Sequence, residues 1–395
     1  MLGAVDSDPA ERIVGESRHA AIVSQAARAD PLRLVWPPVS AAYDRLAAMP
    51  ITVESYELTG HDREFGEFTR PSTVIHLRGD GEEGIGEDVA YDVLDHIAHR
   101  DAGPVLLGDL TGPTTLGELC ELLGELDLFP APPEREPSRH YRRWAYESAA
   151  LDLALRQAGL ALWEVVERDP APLRFVCSTR LRGFGDEEKS TTEPIRKRLA
   201  KYPTLEFKLD PENDWDQALI AEIAELAQVR VLDLKGLYRG TPVDVETDPE
   251  LYKAVAEKFE DAYLEDPDLD VPEAREVLEP HSDRVTWDAP LHSLDDVKGL
   301  ARKAINSKPS RFGSLNEIFS IYEYCDANGI AVYSGGQGEQ QCGRGQVQYL
   351  ASLFHPNTAN DIAPSGYNDP SVPSGMPSSP MDPAPSEVGF RWAEA

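Results

Sequence analysis

The chain is short of positive charge, of cysteine and of long apolar stretches, and each shortage excludes something. Over 395 residues, 38 lysines and arginines stand against 70 aspartates and glutamates, for a formal net charge of −32. A surface this negative repels nucleic acid and anionic membrane, so neither is expected as a partner. The four cysteines, Cys120, Cys177, Cys325 and Cys342, show no metal-ligand spacing, which suits free thiols in a reducing compartment. No apolar run approaches the length of a membrane span. The first residues (MLGAVDSDPAER) lack the basic region and continuous apolar core of an export signal, so a cytoplasmic location is expected. No Ser-His-Asp or Cys-His nucleophile arrangement occurs. Residues 334–345 (SGGQGEQQCGRG) are glycine-rich but lack the lysine and hydroxyl of a phosphate loop. His96 and His99 are three apart, not four, and are expected at the surface of a helix. Lysine is scarce early on: the first is Lys189. A lysine inside an apolar strand is therefore hard to dismiss as background, and Lys208, Lys235 and Lys308 fit that description.

What is present is a change of rhythm. Residues 1–48 are rich in alanine and arginine and read as an extension with some helix. From Ile51 the pattern alternates as strands do, at 51–58 (ITVESYEL) and 72–77 (STVIHL). Residues 78–87 (RGDGEEGIGE) form a hairpin turn leading to a third strand. Helices are predicted at 116–126 and at 144–167, where Leu151, Leu155, Ala158 and Leu162 recur at helical spacing. Residues 49–168 thus read as a small α+β domain. From Leu173 the rhythm becomes strand, helix, strand. Strands are predicted at 173–178, 205–209, 229–234, 262–265, 284–287, 304–307 and 330–334, with helices between, for example at 216–227, 249–261, 293–301 and 315–328. Repeated βα units imply a parallel sheet, and about seven of them favour a barrel over residues 169–362. The Pro- and Ser-rich segment 363–395 reads as an irregular wrap, with 388–392 (VGFRW) returning to the first domain.

Three acids sit at the ends of three of those strands: Asp233 in VRVLDL, Glu265 in AYLEDP and Asp288 in VTWDAP. Carboxylates at the carboxyl ends of parallel strands converge on one face of a barrel, and three hard oxygen ligands there describe a Mg²⁺ site open to substrate. In LEFKLD, Lys208 and Asp210 share a face. An inward lysine loses solvation, its pKa falls, and it can serve as a base; a structural Lys–Asp pair is the competing reading. Asp233 and Lys235 share parity on the next strand. Pro309 stops a strand directly after Lys308, which puts that ammonium at the barrel mouth, and the helix start at Gly313 and Ser314 could hold an anion. Gln337 and Glu339, in the glycine-rich loop, are placed to face inward. Residues 64–70 (EFGEFTR) read as a loop closing over the site.

The order of these pieces resembles the enolase superfamily, in its mandelate racemase and muconate-lactonising branch, from about Ile51 to Trp392. RGDGEEGIGE is similar to that branch's early glycine-rich turn, and YESAALDLALRQAGLALWEV to the helix ending its capping domain. FKLD stands where the branch has Lys-x-Lys, VLDLKG where it has Asp-x-Asn, and YLEDP and TWDAP where it has its next two acidic strands. INSKPSRFGSL is similar to its Ile-Lys-Pro-Ser loop. The resemblance implies an N-terminal α+β capping domain on a modified (β/α)₇β TIM-like barrel, with Asp233, Glu265 and Asp288 holding Mg²⁺. It implies abstraction of a proton next to a carboxylate through an enediolate. The expected activity is that of a lyase, dehydratase or cycloisomerase on a small carboxylic acid, with an epimerase or a catalytically silent binding protein as alternatives; a homo-oligomer is common for this architecture. Two positions depart from the pattern. Asp210 replaces the second lysine of Lys-x-Lys, and Lys235 replaces the asparagine after the first metal ligand. Lys308 is the expected base, with Lys208 or Lys235 opposite and Asp210, Gln337 and Glu339 lining the substrate.

Overall fold

The computed structural model describes residues 42–65, 68–182, 189–241, 243–301, 303–369 and 371–393. Most of the 1–48 extension, the tip of the 64–70 loop and the side chains of 64–68 lie outside the described residues.

The amino-terminal part opens with α1 (Ala42–Ala47) and β1 (Pro50–Val53), then β2 (Ser55–Phe65), β3 (Phe68–Gly79) and β4 (Glu82–Asp88). The last three form an antiparallel meander. The expected strand over 51–58 is two strands, because β1 leaves the meander to pair with β5 (Gly112–Thr115). Helix α2 (Val93–Ala102) packs on β2 and β3, α3 (Leu107–Leu110) leads into β5, α4 (Leu116–Glu125) packs on β5, and the long α5 (Ser138–Ala158) lies across the meander. Gly84 and Gly86 of β4 permit that close packing. A Cβ at Gly86 would come 2.0 Å from the Ala145 carbonyl of α5, and one at Gly84 2.2 Å from that of Ala149. The single helix expected over 144–167 is broken: Gly159 takes a left-handed φ of 68° that caps α5, and α6 (Leu162–Val166) starts anew.

The remainder alternates strand and helix: β6 (Cys177–Thr179), α7 (Glu193–Leu199), β7 (Glu206–Leu209), α8 (Gln217–Leu226), β8 (Gln228–Asp233), α9 (Pro249–Lys258), β9 (Tyr263–Glu265), α10 (Pro272–Leu278), β10 (Val285–Thr286), α11 (Leu294–Leu300), β11 (Ala304–Ser307), α12 (Pro309–Phe312), α13 (Leu315–Asn328), β12 (Ala331–Ser334) and α14 (Cys342–Phe354). Strands β6 to β10 form one parallel sheet and β11–β12 a second. The Asn306 N–H donates to the Trp287 carbonyl at 3.0 Å and joins the two sheets. On the other side, Asp361 donates to Ser334 at 2.7 Å and Val176 to Asn360 at 2.8 Å, with parallel bridges at Gly335–Asp361 and Phe175–Asn360. Residues around Asn360 thus act as an eighth stave and close a (β/α) barrel. Inside it, Val176, Val231, Tyr333 and Ala359 form a small apolar plug; the main core fills the shell between strands and helices and runs into the amino-terminal helices. The chain end returns as expected. Arg391 donates to Asp152 of α5 at 2.7 Å, but through isolated bridges and not a regular strand.

Candidate functional site

Strand register sets the site. Asp233 pairs with Glu265, and Glu265 with Thr286, so successive strand ends align at the carboxyl rim. Carboxylate oxygens of Asp233, Glu265 and Asp266 all lie within 4.8 Å of one another, and all three residues are buried. Asp266 has a left-handed φ of 51°, which turns its carboxylate back to accept the N–H groups of Asp288 (2.8 Å) and Ala289 (2.9 Å). Asp288 stands beside this group. Its Oδ2 accepts Lys308 Nζ at 2.7 Å and the Tyr238 hydroxyl at 3.1 Å, and Arg311 lies 3.1 Å from Oδ1.

Lys208, on the wholly buried β7, reaches into the acid cluster. Its Nζ is 3.0 Å from Asp233 Oδ2 and 3.6 Å from Asp361 Oδ2, and it donates to Glu265 Oε1. Lys235 donates to the same Asp233 Oδ2 and lies 4.8 Å over the Tyr238 ring. Glu265 Oε2 also accepts from the Tyr333 hydroxyl at 2.5 Å and from Asn306 at 3.2 Å. The expected residues Lys208, Lys235, Asp233 and Glu265 are therefore in contact, with Lys308 and Asp288 adjoining. Gln337 and Glu339 take another part. The Gln337 amide donates to Tyr91 (3.1 Å) and Tyr141 (3.2 Å) of the amino-terminal part, and Glu339 accepts the Gln337 N–H at 2.6 Å and pairs with Arg344 at 3.1 Å. They pin the last rim loop to the cap. The anion held at the start of α13 is a protein one: Leu315 N–H donates to Glu147 of α5 at 2.7 Å.

Charge states follow from this geometry. Burial raises Glu265 and Asp266 well above the usual carboxylate range; Lys208 opposes this at Glu265, and neighbouring carboxylates reinforce it at both. Asp233 and Asp288 go the other way. Burial would raise them, but Lys208 and Lys235 hold Asp233 low, and Arg311 and Lys308 hold Asp288 low. The expected fall in the Lys208 pKa does not occur. Burial does lower it, but Asp233, Glu265 and Asp361 outweigh burial and raise it well above the ordinary value. Among the described residues, six carboxylates (Asp210, Asp233, Glu265, Asp266, Asp288, Asp361) meet four cations (Lys208, Lys235, Lys308, Arg311), while Arg180 and Arg344, which act on Asp210 and Asp361, are already paired with Glu212 and Glu339. The donor set is hard oxygen with surplus negative charge, which fits a divalent ion such as Mg²⁺.

Asp266, Asp361, Arg311 and Tyr333 were not reached from sequence. Asp266 lies between Glu265 and Pro267, where an acid before a proline commonly opens a turn. Tyr333 shares strand parity with Gly335 at the rim and could have been found by alternation. A cavity of about 630 Å³ lies away from these groups, between the outer face of β3 and α14, lined by His76, Arg344 and Trp392 among others.

A capping meander over a closed barrel with acids at its rim is the fold of solved structures described as members of the enolase superfamily and as mandelate racemase/muconate lactonizing enzymes. Solved structures share it at low identity, which speaks to the fold. A dipeptide epimerase from Methylococcus capsulatus, complexed with Mg ion, superposes with a TM-score of 0.58 at 18% identity over 79% of this chain and 88% of that one. A mandelate racemase/muconate lactonizing enzyme from Roseiflexus sp. gives 0.61 at 18% over 87% and 99%. Among curated proteins, the o-succinylbenzoate synthase of Bacillus subtilis (strain 168) is 25% identical over 243 residues, 55% of this chain, and the match spans 58% of that protein's length. The chain belongs to the family described as domain of unknown function (DUF8230): its C-terminal domain matches residues 169–369 and its N-terminal domain 44–165. Among the described residues no helix is long and apolar enough to cross a membrane.

Proposed function

We propose that this protein binds Mg²⁺ at the barrel rim and removes a proton next to the carboxylate of a small acid, as a lyase or cycloisomerase. The observation that carries the reading is the surplus of buried carboxylates at adjacent strand ends, two of them pushed toward protonation by burial first and by neighbouring carboxylates second. Buried charge of one sign is costly unless a counter-ion neutralises it. Asp233 and Glu265 are the first two ligands. Asp288 is the third: its Oδ1 has only the Arg311 guanidinium at 3.1 Å, without a hydrogen bond among the described residues, whereas both Asp266 oxygens are taken by backbone N–H groups. When bound, Mg²⁺ supplies the Lewis acidity that makes a proton beside a carboxylate removable by an amine near neutral pH.

The chain's own residues divide the remaining work. Lys308 is the base. It is held at the mouth by one carboxylate, Asp288, and is partly open to incoming substrate. Lys208 faces three carboxylates and is fixed as a cation, which suits holding developing negative charge better than taking a proton. Asp210 removes the opposed second lysine that two-base epimerisation uses, which favours single-base elimination or cyclisation. Tyr91, Tyr141 and Gln337 close the mouth from the cap side and help to exclude water. The o-succinylbenzoate synthase match is consistent with a lyase of this kind. The test is exchange of a substrate's α-proton with solvent deuterium, screened over carboxylic acids with Mg²⁺ in D₂O. Lys308→Ala should lower exchange by at least ~10²-fold, and undiminished exchange would remove Lys308 from the role.

One observation favours a second reading. Asp233 Oδ2 accepts two ammonium groups, Lys208 and Lys235, so the lysines could stand in for the metal in a binding protein without catalysis. Calorimetric titration with Mg²⁺ separates the two, since a stand-in predicts no binding.

A further inference from the structure

Lys235 is held in a costly conformation. Its φ is 54°, a left-handed backbone that asparagine tolerates and lysine rarely adopts. Its own N–H reaches Asp233 Oδ1 only at 3.4 Å, so the local hydrogen bond recovers little. What the conformation achieves is to fold the side chain back, so that its ammonium lands on Asp233 Oδ2, which Lys208 already contacts. A second carboxylate stands beside Asp233 on the neighbouring strand, where Asp210 follows the Leu209–Leu232 pair of the β7–β8 register. Asp210, two residues beyond Lys208, has an Oδ1 that is buried and accepts no hydrogen bond among the described residues. Among the charges acting on Asp210, Lys235 is the strongest, yet the two are not in an ion-pair contact. The Tyr238 ring face lies 4.8 Å from the ammonium and offers a surface along which it can move without losing all its stabilisation.

We propose that Lys235 is a movable counter-ion of the metal site, resting on Asp233 before a divalent cation arrives and passing to Asp210 when one does. This rests on the Mg²⁺ reading above. An ammonium and a divalent cation compete for the same carboxylate oxygen, so the ammonium must leave. A nearby carboxylate with one buried oxygen free of hydrogen bonds among the described residues lowers the cost of leaving. Asp210 and Lys235, the two residues that depart from the family pattern, thus form one device. Asp210 is a positioning residue that sets how readily the site loads.

The test is a double-mutant cycle on Mg²⁺ affinity, measured by calorimetry on the full chain without substrate. Lys235→Met removes the competitor and should tighten Mg²⁺ by about tenfold. Asp210→Asn removes the destination and should weaken it by about tenfold. In the Lys235→Met background, Asp210→Asn should change affinity by less than about threefold. A plain electrostatic role for Asp210 predicts the same loss in both backgrounds, and that result overturns the proposal, as does weaker binding by Lys235→Met. A second measurement needs no variant. In crystals of the wild-type chain with Mg²⁺, the Lys235 ammonium should be on Asp210, and finding it still on Asp233 overturns the proposal. If neither wild type nor Lys235→Met binds Mg²⁺, the metal reading and this inference fail together. Binding by Lys235→Met alone would make Lys235 a permanent stand-in, which overturns the exchange and supports the binding-protein reading.

Discussion

Two buried ionic groups in this molecule differ in a way that separates support from chemistry. In the amino-terminal part, Arg142 and Asp88 are each 0% exposed and pair at 2.8 Å. Both members of the pair are engaged on every polar atom. Arg142 also donates to the Leu128 (3.3 Å) and Asp95 (3.0 Å) carbonyls and lies 3.6 Å over the Phe129 ring, and Asp88 accepts the Ala90 N–H at 3.0 Å. The nearby His99 is kept neutral, with burial and then Arg142 pushing it down to about 3. One positive charge meets one negative, and the polar atoms of the pair are used. At the barrel rim, six carboxylates meet four cations not paired elsewhere among the described residues; Asp210 Oδ1 lacks a hydrogen bond, and Asp288 Oδ1 has only the Arg311 ion pair. A balanced buried group needs nothing further and holds α5 to the meander. An unbalanced one carries negative charge that a bound cation would offset.

The comparison can be broken in three ways. The largest effect should come from Arg142→Leu, which leaves Asp88 buried and unpaired. A loss of about 3–5 kcal/mol in chemical denaturation is expected, and a loss below ~1 kcal/mol would mean that the pair does not hold the cap. Next is pH. His99 is neutral in the fold and titrates near 6.5 when unfolded, so its contribution is complete above about 6.5 and is lost as pH falls toward 3. Asp88, with Arg142 outweighing burial, sits at about 2, and its contribution is lost only below its ordinary 3.8. Stability should therefore fall by on the order of 3 kcal/mol between pH 6.5 and 4 through His99. His99→Gln should flatten that slope relative to wild type, and an unchanged slope would place the acid sensitivity elsewhere. The smallest effect should be Asp361→Asn at the rim. It removes one surplus charge, so metal-free stability should change by less than ~1 kcal/mol or rise. A loss as large as that of Arg142→Leu would abolish the distinction between the two groups.

Much of the barrel was legible in the sequence because each unit carries its own signal. The strand over 304–307 and the helix over 315–328 appear where expected, since apolar periodicity and the Ser314 cap are local. Asp233, Glu265 and Asp288 were legible as strand-end acids because the βα repeat puts each at the same rim. What depends on distant partners was not legible. His96 and His99 are buried, not on the surface: His96 bonds Thr73 (2.8 Å) and the Ala90 carbonyl (2.9 Å), and His99 bonds Tyr146 (2.9 Å). Helical spacing alone does not say which face meets a sheet. The eighth stave at Asn360 makes only isolated bridges in the irregular stretch after α14, so it leaves no alternation to read, and Asp361 was missed with it. Solvation alone predicted a lowered Lys208 pKa. The opposite direction comes from three carboxylates supplied by three other staves.

The central claim is that the surplus charge at the rim holds a divalent ion. Its most direct test is anomalous diffraction from crystals grown with Mn²⁺ in place of Mg²⁺. The account predicts one anomalous peak at the rim, coordinated by Asp233 and Glu265 with Asp288 completing the set. A rim without a peak, its carboxylates still clasped by Lys208, Lys235 and Lys308, would contradict it.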